Sequence, residues 1–244
     1  MAARVVLGLA IISPNRIHAF FASLENMASG VSRLLLTLAI LSPARALDNG
    51  AGRVPVLGWS SWNWYLKEIN ETAVEDVAVG LIDTGLLSLG YTHVNLDAGV
   101  WRPDRDTNGR LQADPAKFPT GLAALSSKLR ARGLSIGLYT DLSSREQGFV
   151  CGTGPGSFGH FDIDAADLAV KYGAGFVKVD FCAYDTTNAS RHVPTLDDQA
   201  AHWEQFRDAF NATGRQVFTY FCPRSASGGG VIDGPPAAWS GAYR

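Results

Sequence analysis

The amino-acid sequence predicts an α/β protein, specifically a (β/α)8 TIM barrel of which about five of the eight β/α units are present. From residue 54 onward, short apolar runs alternate with longer amphipathic ones, an order typical of βαβ units and a mostly parallel sheet. Polar residues end three successive predicted strands. A doubly wound open sheet is the alternative, but no Gly-x-Gly-x-x-Gly follows any predicted strand.

Each element has its own signal in the sequence. The strands are short runs rich in Val, Phe, Tyr and Leu, and the helices carry apolar residues three or four positions apart. Gly90 and Gly133 are expected to end the first two helices. The apolar face of the first helix comprises Val74, Val77, Leu81 and Ile82. The predicted strands are 54–59, 91–97, 134–141, 176–180 and 216–221, and the predicted helices are 72–90, 121–133, 161–173 and about 197–211.

Charge and composition exclude several classes of protein. The chain has 21 basic and 23 acidic side chains, and its net charge of −2 provides no field that would attract nucleic acid or an anionic membrane. Its hydrophobic fraction of 46% is sufficient for a globular core. We therefore expect a substrate that is recognised by local contacts.

The first 46 residues are typical of a signal peptide or another N-terminal targeting segment. Arg33 precedes the run "LLLTLAILS", and "ARA" at 44–46 supplies the small residues that a signal peptidase needs. A buried helix over 30–46 is the alternative. Residues 47–244 are then expected to form a partial TIM-barrel domain without its C-terminal strands. We expect secretion, or a lumenal location that is extracellular, vacuolar or lysosome-like.

Two further features agree with secretion. Glycosylation sequons begin at Asn70, Asn188 and Asn211, although chance triplets of this kind are common. The chain has three cysteines, which in an oxidising compartment allow one disulfide and leave one thiol.

The strand "FVKVD" predicts a functional site at its end. Side chains alternate across a strand, so Lys178 and Asp180 share one face while Val177 and Val179 share the other. In a parallel barrel the helices cover one face, and the other faces the lumen, where the active site lies at the C-terminal ends of the strands.

The two preceding strands end in the same way, at Asp97 and at Tyr139 with Asp141, so these polar side chains are expected to converge. For any single aspartate, capping of the following turn is the alternative. A lysine ammonium beside Asp180 favours its ionised form, which a nucleophile requires. A buried ion pair that only satisfies two charges is the alternative for Lys178.

Several motifs in fixed order resemble the glycoside hydrolase family of α-galactosidases, or melibiases, and α-N-acetylgalactosaminidases. They include "LGWSSWNWY", "GYTHVNLDAGVW", "GRLQADPAKFP", "PGSFGHFDIDA" and "KVDFC", and the resemblance covers nearly everything from about Val54 to Cys222. The order of "GRLQADPAKFP", "PGSFGHFDIDA" and "KVDFC" is far more specific than any one of them.

The resemblance implies roles for individual residues. Asp180 matches the catalytic nucleophile, which attacks the anomeric carbon and forms a covalent glycosyl intermediate with net retention of configuration. Lys178, Asp97 and Tyr139 match positions that line the sugar pocket. Trp62 matches an aromatic wall of that pocket, and plain core packing is the alternative for Trp62, as it is for Trp59.

The resemblance also implies a disulfide between Cys151 and Cys182, which links the loops after the third and fourth strands. It implies no metal and no organic cofactor. The implied substrate is an α-galactoside oligosaccharide or glycoconjugate. No nucleic-acid partner is expected, nor a membrane after removal of the signal, and a homodimer is left open.

Three positions depart from the family pattern. Ala98 stands where the family usually has a second aspartate that binds galactose hydroxyls. Pro223 stands where a polar residue commonly reads the sugar's 2-substituent. Tyr243 and Arg244, a predicted substrate-binding residue, match a pair that precedes the family's acid/base aspartate, and Asp233 is the one carboxylate after the fifth strand. The resemblance therefore implies that residues 47–244 are a partial TIM-barrel catalytic domain, truncated before the general acid/base and without the C-terminal strands and β domain of the family.

The leading prediction is a retaining glycoside hydrolase that releases terminal α-galactosyl residues through a glycosyl-Asp intermediate. A catalytically inactive sugar-binding homologue is one alternative, because Trp62, Asp97 and Lys178 could hold a glycan without cleaving it. Hydrolysis of a related sugar, N-acetylgalactosamine or arabinopyranose, is another. A phosphate-handling barrel isomerase is disfavoured because the glycine-rich phosphate loop of such barrels is not found.

Overall fold

The computed structural model describes residues 50–144, 150–182 and 196–222, and all of them lie in one compact unit. The predicted targeting segment falls outside these residues. Within them, no helix has the length and apolar character needed to cross a membrane. The strands are β1 (Leu57–Ser60), β2 (Tyr91–Asn95), β3 (Ser135–Asp141), β4 (Phe176–Asp180) and β5 (Phe218–Cys222), and the α-helices are α1 (Trp62–Tyr65), α2 (Glu71–Asp83), α3 (Leu122–Ala131), α4 (Phe161–Ala166) and α5 (Leu196–Ala212).

The strands form a single parallel sheet in the order β1-β2-β3-β4-β5. Each strand pairs with the next one in the chain, and helical segments connect them. This sequential parallel order is that of a (β/α)8 barrel and confirms the predicted fold class.

The faces of β4 are as the alternation predicts. Val177 and Val179 are fully buried, whereas Lys178 and Asp180 on the opposite face are partly accessible. In the ladder between β3 and β4, the Cα of Asp180 pairs with that of Asp141. On its other side, Asp180 pairs with Cys222 of β5. The strand end is therefore flanked by side chains from both neighbours.

Helix α2 is shorter than the sequence pattern predicts. Asn70 caps its start, where the side-chain oxygen accepts a hydrogen bond of 2.9 Å from the backbone N–H of Ala73. The helix ends at Asp83 because the chain turns at Gly85, whose φ is +76°. In its last turn the Thr84 hydroxyl donates to the carbonyl of Gly80. The expected stop at Gly90 instead follows a short 3₁₀ turn, Leu87–Leu89.

Other element boundaries also shift. Strand β1 begins at Leu57, later than predicted, and Val54 is 73% exposed. Ile82, which was expected on the apolar face of α2, lies on its exposed side. The predicted helix 161–173 is α-helical only to Ala166 and continues as a π turn, Asp167–Lys171. In that turn the N–H of Tyr172 bonds to the carbonyl of Asp167 over 2.9 Å.

The core lies between the sheet and the helices. Its centre consists of fully buried aliphatic and aromatic side chains, including Val94, Ile136, Leu138, Val177, Val179, Leu125, Leu129, Leu168, Phe206 and Phe221. Helix α5 contributes an aromatic contact in which Trp203 stacks on Phe221 with ring centroids 5.2 Å apart. Burial of this face fixes the opposite, lumenal face of the strands.

A long loop between β2 and α3 is tied to α4 by an ion pair, which we call the Arg105–Asp164 clasp. The Arg105 guanidinium donates to both oxygens of Asp164, over 2.7 and 2.6 Å. It also donates to the carbonyls of Gly109 and Gly156. The clasp joins two of the motifs singled out in the sequence, the stretch before "GRLQADP" and "PGSFGHFDIDA".

Candidate active site at the ends of β2, β3 and β4

Four of the predicted site residues form one polar network. The Lys178 ammonium donates to Asp97 Oδ2 over 2.9 Å and lies 3.6 Å from Asp180 Oδ2. The Tyr139 hydroxyl donates to the same oxygen of Asp180 over 2.9 Å. The four residues therefore come together as the sequence predicts, in a chain of contacts that runs from Asp97 through Lys178 and Asp180 to Tyr139.

Asp97 combines this contact with a turn-capping role. Its Oδ1 accepts a hydrogen bond of 2.8 Å from the backbone N–H of Ala98, which is the turn cap considered as an alternative. Its own N–H donates to the Ser61 hydroxyl over 2.9 Å. The two roles use different oxygens, so the end of β2 is braced while Oδ2 faces Lys178.

The two oxygens of Asp180 differ in environment. Oδ2 contacts Tyr139 and Lys178, whereas Oδ1 is buried and makes no hydrogen bond within the described parts of the chain. A buried carboxylate oxygen without a donor is costly and rare in folded proteins. The carboxyl as a whole is 14% exposed, and the Lys178 ammonium beside it favours the ionised form that a nucleophile requires.

The charges around Asp180 act in opposite directions on its pKa. Burial raises the pKa of Asp180 above its usual value, while the Lys178 ammonium and the Tyr139 hydrogen bond lower it. The effect of Lys178 is the one expected from the sequence, but burial outweighs it. Burial lowers the pKa of Lys178, but the carboxylates of Asp180 and Asp97 raise it by more, so Lys178 stays charged. Burial also raises the pKa of Tyr139 well above its usual range, so its phenol stays a neutral donor.

The two tryptophans considered for the pocket wall differ in location. Trp62, in α1, is 40% exposed, and the Lys178 ammonium lies 5.9 Å from its ring centroid. It therefore lies beside the polar network and outside the core. Trp59 packs against the core and meets Tyr65 edge to face at 5.9 Å, so core packing describes Trp59.

The disulfide implied by the resemblance is present. Cys151 and Cys182 are bonded, with Cα atoms 5.5 Å apart, and they join the loops that follow β3 and β4. The loop around Cys151 lies against the segment after β2. A Cβ added to Gly152 would be 2.4 Å from that of Ala98, and the Thr153 hydroxyl donates to the carbonyl of Trp101 over 2.8 Å.

Asp141 does not face the same network, although its position at a strand end suggested so. Its carboxylate is fully buried and accepts hydrogen bonds from the backbone N–H groups of Ser143, Cys151 and Cys182. Burial raises the pKa of Asp141 to about 6, against the effect of these hydrogen bonds. Asp141, Cys151 and Cys182 are close enough to suggest a metal site, but the disulfide leaves neither sulfur as a thiolate ligand.

Two positioning contacts were missed in the sequence. The Trp101 indole N–H donates to the carbonyl of Tyr139 over 2.7 Å, and Ser61 accepts from Asp97 as described above. Both residues lie within motifs that carried the resemblance, "DAGVW" and "GWSSWN", but nothing in those letters specifies the contact. Arg244, Pro223, Asp233 and the sequon at Asn188 lie outside the described residues.

Comparisons with known proteins agree with this geometry. The profile of a family described as Alpha galactosidase A matches residues 54–227. Alpha-galactosidase 3 of Arabidopsis thaliana is 36% identical over 194 residues, which cover 80% of this chain and 39% of that protein. The crystal structure of alpha-galactosidase I from Mortierella vinacea is similar with a TM-score of 0.64 and 31% identity, over 72% of this chain and 42% of that one.

A structure of the alpha-galactosidase from Saccharomyces cerevisiae with raffinose is also similar. Its TM-score is 0.63 at 30% identity, over 72% of this chain and 36% of that one. The chain thus spans less than half the length of the relatives described here.

Proposed function

Because the chain belongs to the alpha galactosidase A family, we propose that the protein is a retaining glycoside hydrolase acting on α-galactosides, from which it releases the terminal galactosyl residue. The observation that carries this proposal is the partly accessible carboxylate of Asp180, which the Tyr139 hydroxyl and the Lys178 ammonium hold at the end of β4. The related structure with raffinose supports an oligosaccharide substrate.

In the proposed reaction, the Asp180 carboxylate attacks the anomeric carbon of the galactosyl residue. The glycosidic C–O bond breaks, and the new C–O bond to Asp180 gives a covalent intermediate that water later hydrolyses with net retention. Tyr139 and Lys178 orient Oδ2 and keep negative charge on the carboxylate before attack. The reaction also needs a second carboxyl as acid and base, and none of the described contacts assigns one.

The same network can hold the sugar. The exposed face of Trp62 suits the apolar C–H side of a pyranose, and Asp97 and Lys178 can exchange hydrogen bonds with its hydroxyls. Ala98 supplies no acceptor and is closely covered by Gly152. A site that lacks one acceptor discriminates less strongly between sugars, which favours some hydrolysis of a related sugar such as arabinopyranose or N-acetylgalactosamine.

We also propose that the protein is secreted or lumenal. The disulfide between Cys151 and Cys182 supports an oxidising compartment. Asn70 and Asn211, the two sequon asparagines among the described residues, are exposed and accessible to glycosylation.

The direct test is covalent trapping with an activated, ring-fluorinated α-galactosyl fluoride, whose fluoride leaves without help from an acid. We expect mass spectrometry to find the sugar on the peptide that contains Asp180, and no adduct in Asp180→Asn. Asp208→Asn is the matched control, because Asp208 is largely exposed, on α5, and should label like the wild type.

The trapping experiment also separates the alternatives. Galactose binding detected by calorimetry without any adduct would support the sugar-binding homologue. An adduct on a carboxylate other than Asp180 would overturn the proposed nucleophile.

A further inference from the structure

We propose that Asp141 is a positioning residue that holds both disulfide-linked loops against the ends of β2 and β4. Each of its two oxygens accepts hydrogen bonds from backbone N–H groups of these loops. Oδ2 accepts a hydrogen bond of 2.9 Å from the N–H of Cys151. Oδ1 accepts one of 3.3 Å from the N–H of Cys182 and one of 2.8 Å from the N–H of Ser143, together with the Ser143 hydroxyl. One carboxylate therefore binds the backbone of both half-cystines.

The anchored loops adjoin both carboxylates that contact Lys178. On the β4 side, Cys182 follows Asp180 closely in sequence, and the N–H of Leu142 donates to the Asp180 carbonyl over 2.8 Å. On the β2 side, Gly152 follows Cys151 and lies on Ala98, the residue after Asp97. A shift of the loops would consequently move both walls of the candidate site.

A disulfide alone does not explain this arrangement. It joins two sulfur atoms but leaves the N–H groups of Cys151 and Cys182 to find acceptors, and buried N–H groups without acceptors are strongly disfavoured. A fully buried carboxylate is itself costly and persists only where several donors compensate. Asparagine would not be equivalent, because its NH₂ group would face one of these N–H donors.

The first experiment follows the disulfide itself and does not depend on the proposed function. In the full chain, dithiothreitol would reduce the disulfide, and alkylation of Cys151 and Cys182 would be followed by mass spectrometry. We expect Asp141→Asn to accelerate reduction by at least about tenfold, the factor carried by one hydrogen bond to a charged group. The matched control is Asp167→Asn, which removes another buried carboxylate, one paired with Arg110, and leaves these loops untouched. Equal rates in both variants would overturn the proposal.

A second measurement uses the wild-type protein, so it tests the proposal even if the Asp141→Asn variant does not fold. Amide hydrogen exchange in the wild type should be at least about tenfold slower at Cys151 and Cys182 than at the adjacent Gly152. Similar exchange at all three amides would show that the carboxylate does not hold the loops.

The consequence for the candidate site rests on the proposed function. If Asp180 is trapped in the wild type, Asp141→Asn should slow trapping by about tenfold or more while the adduct stays on Asp180. Faster disulfide reduction with an unchanged trapping rate would refute the effect on the site but leave the anchor intact. If the wild type is not trapped at all, the proposed function fails, and the reduction and exchange measurements alone decide the role of Asp141.

Discussion

Two aspartates in this protein, Asp164 and Asp180, show how a structural carboxylate differs from one suited to chemistry. Asp164 is fully buried, and the Arg105 guanidinium bonds both of its oxygens. Asp180 is 14% exposed, and the described residues satisfy only one of its oxygens. Burial raises the pKa of both. The difference lies in which lone pairs remain available.

The two cations account for this difference. A guanidinium presents a planar pair of donors that matches both oxygens of one carboxylate, whereas an ammonium is a compact charge that several acceptors can share. Lys178 is shared between Asp97 and Asp180, at 2.9 and 3.6 Å. A lysine thus provides charge at the candidate site while the Asp180 carboxylate stays partly accessible.

Replacement of Asp180 should have the largest effect on activity. Asp180→Asn is expected to reduce turnover of an aryl α-galactoside by about 10⁴-fold or more, because an amide cannot form the glycosyl intermediate. Its melting temperature should not fall, since the variant removes a buried charge that is only partly compensated. Turnover within about tenfold of the wild type would show that Asp180 is not the nucleophile.

Breaking the clasp should mainly affect stability. Arg105→Met leaves Asp164 buried and unpaired, and we expect the free energy of unfolding in urea to fall by about 3–5 kcal/mol. Glu75→Gln is the matched control. It breaks the exposed ion pair with Lys128 and should cost less than about 1 kcal/mol. A loss in Arg105→Met no larger than in the control would mean that the clasp is not a structural ion pair of the kind described.

The sequence anticipated the site better than the limits of the helices. The period of two along "FVKVD" is sufficient to place Lys178 and Asp180 on one face, and parallel pairing brings Asp97 and Tyr139 to them. The end of α2 was not where Gly90 predicted it, because Gly85 already takes a left-handed conformation, with φ of +76°, and ends the helix earlier.

Asp141 and Asp180 show what the sequence pattern does not contain. Both end a strand, yet only Asp180 contacts Lys178, whereas Asp141 is turned toward the N–H groups of Cys151 and Cys182. Those N–H groups come from two loops, so their direction depends on tertiary structure. The direction in which the pKa of Asp180 shifts could not be predicted from the sequence either, because burial raises this pKa by more than the Lys178 ammonium lowers it.

Removal of Lys178, the cation shared by Asp97 and Asp180, should change the pH dependence of the reaction. The nucleophile must be ionised, so the acid limb of kcat/KM follows the pKa of Asp180 in the free enzyme. Lys178→Met removes a charge that lowers this pKa. We expect the limb to move to higher pH by about one unit or more. A limb that stays in place, or moves to lower pH, would show that another group titrates there.

The smallest expected effect is that of removing the Tyr139 hydroxyl, which contacts the same oxygen of Asp180 as Lys178 does. Tyr139→Phe removes the hydroxyl that donates to Asp180 Oδ2 over 2.9 Å but keeps the ring and the charge of Lys178. Since a neutral hydrogen bond stabilises a carboxylate less than an adjacent ammonium does, the acid limb should move in the same direction by less than about one unit. The ordering is the decisive measurement, because a larger shift in Tyr139→Phe than in Lys178→Met would mean that the phenol, and not the shared ammonium, dominates the charge state of Asp180.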